Sequence, residues 1–360
     1  MSVAPVTSPK MKSPKSVGSG SQKYLPKWFN IAAIVAALLI GFLVSRIAGS
    51  GVAGVLTFLV VYFVVIIGFG FGVEGRRYGT DRLLTSVITG TFIAAVIPLV
   101  SLLWTVLVQG WTRMTAGGFF TSTTFGQSNP ETVTGAGHAV VGTFMITGMA
   151  ALIAVPLGIL TAVYLVEYGK GTLSKVITFM VDIMTGIPSI VAGLFAAAMI
   201  PMINQALFGQ AQFKNGFAGA IALVVLMTPI VVRNTEEMLR LVPNELREAS
   251  YALGVTKAGT IIRVVLRTAV SGIISGIFIA TARIIGESAP LMITAGTTDF
   301  YNYNIFQNQM YTLPVYVYNQ YKSGNSAEAW AGALLLILIV LLLNLLARFI
   351  AKRFAPAGEK

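Results

Sequence analysis

The sequence predicts an all-α polytopic membrane protein with about eight transmembrane helices, and both its composition and its hydropathy support that prediction. Of the 360 residues, 55% are hydrophobic and only 11% are charged, and the mean hydropathy is +0.79. A soluble domain carries about 25% charged residues, so this deficit indicates that much of the chain lies in an apolar solvent.

Apolar stretches long enough to cross a bilayer, which takes about 20 helical residues, occur along almost the whole chain. They are approximately Phe29–Ile47, Gly51–Val73, Leu84–Val108, Ala139–Tyr168, Val176–Ile200, Gly216–Val232, Ala269–Ala295 and Ala329–Ala347. None of them alternates apolar and polar residues as a strand would, and a segment in lipid must satisfy its own backbone hydrogen bonds. We therefore predict a helix for each stretch.

The distribution of Lys and Arg predicts the orientation of these helices. If the amino terminus is cytoplasmic, most of the 25 basic residues fall in cytoplasmic segments. Arg283 falls within a helix, and the few basic residues in segments on the outer side of the membrane are Arg46, Arg113, Lys214 and Lys322. The net charge of +12 is thus the positive-inside pattern of a membrane protein rather than a nucleic-acid surface. Both termini are predicted to be cytoplasmic.

The same pattern predicts the domain organisation. Residues 1–28 are rich in Ser, Pro, Gly and Lys and are expected to form a disordered cytoplasmic tail. Residues 29–73 form a helical hairpin that we interpret as an accessory addition. Residues 84–347 form the main transmembrane domain, and residues 348–360 form a second cytoplasmic tail.

Two outer segments, residues 109–137 and 299–326, are longer than ordinary connections. The second carries a cluster of Tyr and Phe between Phe300 and Tyr321. Such a cluster is typical of the membrane interface and equally of a docking surface for an extracytoplasmic partner. The sequence leaves both interpretations open.

Several kinds of chemistry are excluded by composition. The chain has no Cys and a single His, His138, so it can hold neither a Cys-ligated metal nor a His cluster. We interpret His138, at the outer end of the fourth predicted helix, as an interfacial residue rather than a ligand. No G-x-x-x-x-G-K-[ST] motif for ATP binding occurs. We predict a non-catalytic chain with no cofactor of its own.

The predicted cytoplasmic segment 233–268 contains the most informative pattern. Pro243 suits the first turn of a short helix, and Gly254 suits a left-handed cap at its end. A second helix is expected from about Thr256. One face of the first helix carries residues at i, i+3, i+4 and i+7, namely Leu246, Ala249, Ser250 and Leu253. A short amphipathic rod of this kind either lies flat on the membrane or fits a groove in a partner protein.

Glu248-Ala249-Ser250, followed after three residues by Gly254, resembles the EAA motif of bacterial ABC importer permeases. Ser250 stands where the motif has a second Ala, and Val264-Val265-Leu266-Arg267 replaces its usual closing I-x-L-P. Further segments resemble the PstA-type family of phosphate-transport permeases, over about residues 138–320. They are Ile153–Ile159, Gly186–Val191, Arg233–Leu239, Val242-Pro243, Leu246–Ala249 and Ala282–Pro290.

The resemblance implies a type I ABC importer permease whose six-helix core is formed by predicted helices three to eight, with phosphate import into bacteria as its function. It implies a second permease of the PstC type, a dimeric PstB-type ATPase that binds ATP and Mg²⁺, and a soluble PstS-type phosphate-binding protein. It also implies docking of the rod, with its residues Leu246, Glu248, Ala249, Ser250, Leu253 and Gly254, on that ATPase.

Charges inside predicted helices indicate where an anion could pass. A charge at the bilayer centre costs roughly 2.5–3.5 kcal/mol, and Asp182, Arg283 and Glu287 lie well within helices. Arg283 and Glu287 are four residues apart, so they either form a structural ion pair or leave Arg283 to bind an oxyanion such as phosphate. Arg233, at the inner end of the sixth helix, is a second candidate contact. The segment Gly186–Ser189 is expected to break the fifth helix.

Three other functions remain compatible with these features. An importer of the same architecture could carry another oxyanion, such as sulfate or molybdate. A secondary transporter could use Asp182 and Glu287 as ion or proton relays. A membrane scaffold would transport nothing.

Overall fold

The computed structural model describes residues 28–73, 75–126, 134–209 and 214–354, and in these ranges it contains helices and no strand. Most of the predicted tail at residues 1–28 lies outside the described residues. Contacts divide the chain into two compact units, residues 1–101 and 102–360, and the division falls inside the third helix.

The first unit contains α1 (Phe29–Ala48), α2 (Gly51–Val73) and the beginning of α3 (Gly75–Met114). The two residues between α1 and α2 confirm the predicted tight hairpin. Buried apolar side chains fill the contact between these two helices, namely Ala33, Ala37, Tyr62 and Ile66. The accessory role of the hairpin stays a prediction.

The second unit contains the end of α3 and ten further helices within the described ranges. The longer ones are α4 (Gly137–Val163, continued by a π-helical turn Tyr164–Tyr168), α5 (Thr172–Gly186), α6 (Ser189–Phe208), α7 (Gly216–Arg240), α10 (Leu266–Ile284) and α13 (Ser326–Phe354). The shorter ones are α8 (Asn244–Ala252), α9 (Lys257–Thr260, continued by a π-helical turn Ile261–Val265), α11 (Ala289–Thr294) and α12 (Leu313–Lys322).

Helices α4 and α7 form the centre of the second unit. Gly158 permits their close approach, because a Cβ at this position would lie 2.6 Å from the Val231 side chain. Close packing of this kind associates helices in membranes, where lipid is as apolar as the side chains themselves. A second buried cluster joins α4, α5, α7 and α10 on the side of the unit that leads to α8, and includes Leu165, Val181, Leu239, Val242 and Val265.

Eight of the described helices are long and apolar enough to cross a membrane, as the hydropathy predicts. The predicted fifth span, Val176–Ile200, is wrong in its bounds, because the chain breaks at Ile187-Pro188 and only Ser189–Ala206 qualifies as a span. The break itself falls in Gly186–Ser189, as predicted. The residue before a proline avoids the helical conformation, and Ile187 is extended with ψ 128°.

The predicted seventh span, Ala269–Ala295, is also wrong. Helix α10 ends at Ile284, and α11 begins only at Ala289. Pro290 explains the interruption, because in a continuous helix it would lack its hydrogen bond and clash with the carbonyl of Gly286. At the carboxyl end, α13 continues to Phe354, past the predicted start of the tail at residue 348.

Candidate functional site

A cluster of four charged side chains joins α5 and α7 in the second unit. Arg233 pairs with Asp182 through Nη2, and its Nη1 donates to Glu236 Oε2 at 2.9 Å. Arg240 Nη2 donates to the other carboxylate oxygen, Glu236 Oε1, at 2.7 Å. Glu236 therefore bridges two arginines, and Arg233 bridges two carboxylates.

Burial differs between the two carboxylates that hold Arg233. The side chain of Glu236 is 9% exposed, whereas that of Asp182 is 58% exposed. A buried carboxylate is retained only with close partners, so Glu236 is the permanent counter-ion of this cluster. Glu236 was not among the site residues predicted from the sequence. Its position, three residues after Arg233 and four before Arg240, could have indicated both contacts.

Arg283 and Glu287 do not form the ion pair that was one of the two alternatives for them. Because α10 ends at Ile284, the two residues no longer share a helix face, and Glu287 N–H instead donates to Ile284 O at 3.1 Å. Within the described chain no ion pair joins Arg283 to a carboxylate, and its side chain is exposed. The structure therefore contradicts the interpretation as a structural ion pair and leaves the guanidinium of Arg283 accessible.

The short rod of segment 233–268 is present as α8, followed by the predicted cap. Gly254 has φ +77°, a left-handed conformation that favours glycine, and Thr256 caps α9 by accepting from Gly259 N–H. Leu246, Glu248, Ala249 and Leu253 are exposed, and Leu253 reaches 83% exposure.

Ser250 departs from the predicted exposed face. It is buried, and its hydroxyl lies 2.8 Å from that of Thr260. Ser250 lies at the edge of the face that Leu246 and Leu253 form, and this position directs its side chain towards α9. Ser250 therefore holds α8 against α9 instead of adding to the exposed surface.

Two basic residues tie this region to the end of α4. Arg247 Nη2 and Nε donate to Glu167 Oε1 at 2.9 and 3.1 Å. Lys257 Nζ donates to the backbone oxygen of Glu167 and lies 4.5 Å from the centroid of the Tyr168 ring. Neither contact was predicted from the sequence, because Glu167 lies 80 and 90 residues before its partners.

Comparison with known proteins identifies the family. The model of the binding-protein-dependent transport system inner membrane component matches residues 154–357. The chain is 45% identical over 284 residues to phosphate transport system permease protein PstA 1 of Mycobacterium tuberculosis, covering 77% of this chain and 90% of the relative. It is 38% identical over 284 residues to the PstA protein of Yersinia pestis, covering 77% and 92%.

This chain belongs to the PstA family of phosphate transport permeases. The resemblance found in the sequence is thereby confirmed. The fold is also shared with a chain of the bacterial alginate ABC transporter, at a TM-score of 0.58 and 14% identity, over 78% of this chain and 97% of that one. The predicted all-α permease architecture is therefore confirmed, and this PstA-family chain is a multi-pass inner membrane component of an ABC transporter.

At its opposite end, the permease holds a second polar network that the sequence did not predict. Glu328 accepts from Arg113 Nε at 2.7 Å, from Thr134 Oγ1 at 3.1 Å and from Tyr316 OH at 2.7 Å. Burial and the adjacent Glu328 carboxylate raise the pKa of Tyr316 above its usual range. Burial likewise raises the pKa of the Tyr311 phenol to about 12.

His138 lies within this end of the permease, and the interpretation as an interfacial residue is wrong. It is 3% exposed and packs among the rings of Tyr301, Tyr311 and Tyr316. Its Nε2 lies 3.3 Å from the hydroxyl of Thr124, which donates to Asp299 at 2.6 Å. Part of the aromatic cluster is therefore a buried core, while Phe300, Tyr303 and Tyr321 remain exposed.

Proposed function

We propose that this chain forms the phosphate path of an ATP-driven importer together with a second permease, and that Arg233 contacts the phosphate. The relatives with which it shares the family are named as phosphate transport system permeases. The single observation that supports the role of Arg233 is its asymmetric pairing, with a buried carboxylate on one side and an exposed carboxylate on the other.

Phosphate can replace Asp182 at this guanidinium without leaving a buried charge unpaired. Glu236 keeps Arg233 oriented through Nη1, while Nη2 exchanges one anion for another. A planar guanidinium forms paired hydrogen bonds with phosphate oxygens, which a Lys ammonium cannot do. Competition with Asp182 keeps the binding moderate, and a transport site has to release its substrate.

Arg283 is the second proposed contact on the path, with Glu287 close to it in sequence. Its exposed guanidinium has no carboxylate partner in the described chain, so an oxyanion can neutralise it. Because Glu287 does not pair with it, we assign Glu287 to a flanking role that limits how tightly an anion is held.

The rod α8 is the proposed docking element for the ATPase. Leu246 and Leu253 provide an exposed apolar ridge, and Glu248 and Ala249 are exposed beside it. Gly254 shapes the exit of the rod, and Ser250 fixes it against α9. A short helix presented in this way suits a groove in a partner.

The proposed partners are a PstC-type permease, a PstB-type ATPase dimer and a PstS-type phosphate-binding protein. ATP and Mg²⁺ are bound by the ATPase in this proposal, and this chain is non-catalytic. Both termini are proposed to be cytoplasmic. Because the chain has no Cys, a single cysteine at Ala258 or Lys322 tests this orientation. An impermeant thiol reagent applied to intact cells should label only the cysteine at position 322.

Uptake of labelled phosphate in cells lacking other phosphate systems tests the function. We expect uptake that requires ATP, survives proton and sodium uncouplers and is not reduced by excess sulfate or molybdate. Loss of uptake with uncouplers would indicate a secondary transporter, and inhibition by sulfate or molybdate would indicate another oxyanion. Purification in mild detergent should recover an ATPase and a second permease, and recovery of neither would favour a scaffold.

A further inference from the structure

Glu167 connects the region around α8 to the end of α4, a helix that does not adjoin this region in the sequence. In the part of the chain that the structure describes, every hydrogen bond between residues 241–260 and residues outside 233–268 goes to Glu167. Its carboxylate binds Arg247 on α8, and its backbone oxygen binds Lys257 on α9. The two contacts lie on either side of the Gly254 turn.

The guanidinium of Arg247 is held from several directions. Besides Glu167, it donates to Val242 O at 2.6 Å and to Leu239 O at 3.0 Å. The side chains of Arg247 and Glu167 are 13% and 6% exposed. A buried pair with its remaining donors satisfied is a rigid connection, because breaking it would leave an uncompensated buried charge.

The backbone at Glu167 is suited to transmit a displacement. Residues Tyr164–Tyr168 form a π-helical turn at the end of α4, and such turns are frequent at functional sites. Leu165 in this turn packs in the same buried cluster as Val242 and Val265. A shift of α8 would therefore displace the end of α4, the helix that packs along α7 in the centre of the fold.

We propose that Glu167 is a positioning residue through which movement of α8 reaches α4, and thus couples ATP hydrolysis to the opening of the phosphate path. This inference rests on the proposed function, since it assumes that α8 docks on an ATPase. The ion pair transmits the movement in both directions, so breaking it should separate hydrolysis from transport and leave docking intact.

The test uses the purified four-component complex in liposomes, with the variants Glu167→Gln and Glu167→Asp. We expect Glu167→Gln to retain the ATPase subunit and to keep ATP hydrolysis within about twofold, while phosphate moved per ATP falls about tenfold, as expected for losing a charged hydrogen-bond pair. Glu167→Asp should keep most of the phosphate moved per ATP, because it retains the carboxylate that Arg247 contacts. Glu237→Gln is the matched control, because it removes the same charge at an exposed position of α7.

A second measurement does not depend on transport. Spin labels on cysteines at Ala252 in α8 and Leu160 in α4 should give a narrow distance distribution that broadens in Glu167→Gln and not in Glu237→Gln. An unchanged distribution, or loss of the ATPase subunit from Glu167→Gln, would overturn the role of Glu167 and leave the proposed function standing. If the unaltered complex moved no phosphate, the proposed function itself would fail, whatever the distance measurement showed.

Discussion

Asp182 and Arg233, 51 residues apart in the sequence, form an ion pair between α5 and α7. Asp182 lies one turn before the Gly186–Pro188 break, and Arg233 begins the last two turns of α7. The pair thus joins α5, which ends at this break, to α7, which leads directly to α8. Its more exposed partner, Asp182, is the group that a phosphate would displace.

Replacing Asp182 by Asn should increase the apparent affinity for phosphate and slow transport. The neutral amide competes less well for Arg233, so we expect the KM for phosphate to fall by about tenfold and the maximal rate to fall with it. Initial uptake rates over a range of phosphate concentrations measure both quantities. Asp81→Asn, at an exposed position of α3, is the control. An unchanged KM at equal membrane abundance would contradict competition at Arg233.

Arg283→Ala should abolish uptake, and Arg283→Lys should impair it because the planar fork is lost. Glu287→Gln should have little effect on folding. Since the structure shows no pair between them, the effects of Arg283→Lys and Glu287→Gln on the uptake rate should multiply in the double variant, within roughly twofold. A strong departure from multiplication would show that the two residues interact during transport. Parental uptake in Arg283→Ala would refute its contact with phosphate.

Gly254→Pro and Glu248→Lys should reach the membrane and lose ATPase association. Proline fixes φ near −65°, which is incompatible with the positive φ of Gly254, and Lys reverses the charge on the exposed side of α8. Gly254→Ala should be milder, since a left-handed alanine costs about 1–2 kcal/mol. Co-purification of the ATPase measures the effect. Gly117→Ala, in open space without positive φ, is the control, and normal co-purification in Gly254→Pro would contradict the docking role.

Alkaline conditions should destabilise the part of the permease around Tyr311 and Tyr316, because both side chains are buried. The pKa of Tyr311 is raised from 10.0 to about 12, so the folded state retains a proton that the unfolded state has lost. The contribution of Tyr311 to the free energy of unfolding is therefore present below pH 10. It falls by about 2–3 kcal/mol as the pH rises to about 12. Tyr311→Phe should reduce the loss of stability at alkaline pH, and the remaining loss should come from Tyr316.

Thermal unfolding in detergent between pH 8 and 12 measures this dependence. At neutral pH, Tyr311→Phe should cost about 1 kcal/mol, because the phenol accepts a hydrogen bond from Asn319 Nδ2 at 3.0 Å. Tyr303→Phe, at an exposed position, should change neither the stability nor its pH dependence. The same slope in Tyr311→Phe and the parent would show that this phenol stays accessible.

Much of the architecture could be predicted because each helix is specified by its own residues. Apolar length indicated the eight spans, Gly186–Ser189 indicated a break, and Gly254 indicated the turn after α8. The errors came where a local signal was overridden or overlooked. The predicted seventh span ran through Ile285-Gly286-Glu287-Ser288, although Pro290 prevents a continuous helix from passing this point.

The sequence by itself determined the membrane class, the places of most helices, the rod and the family, since periodicity, caps and charge asymmetry act within a few residues of one another. Only the tertiary structure decided the distant charge partners: Asp182 for Arg233, Glu167 for Arg247, and Glu328 for Arg113. It also separated Arg283 from Glu287 and turned Ser250 inward. The physical reason is that an ion pair needs only a few ångströms between two groups, and packing brings such groups together from any distance along the chain.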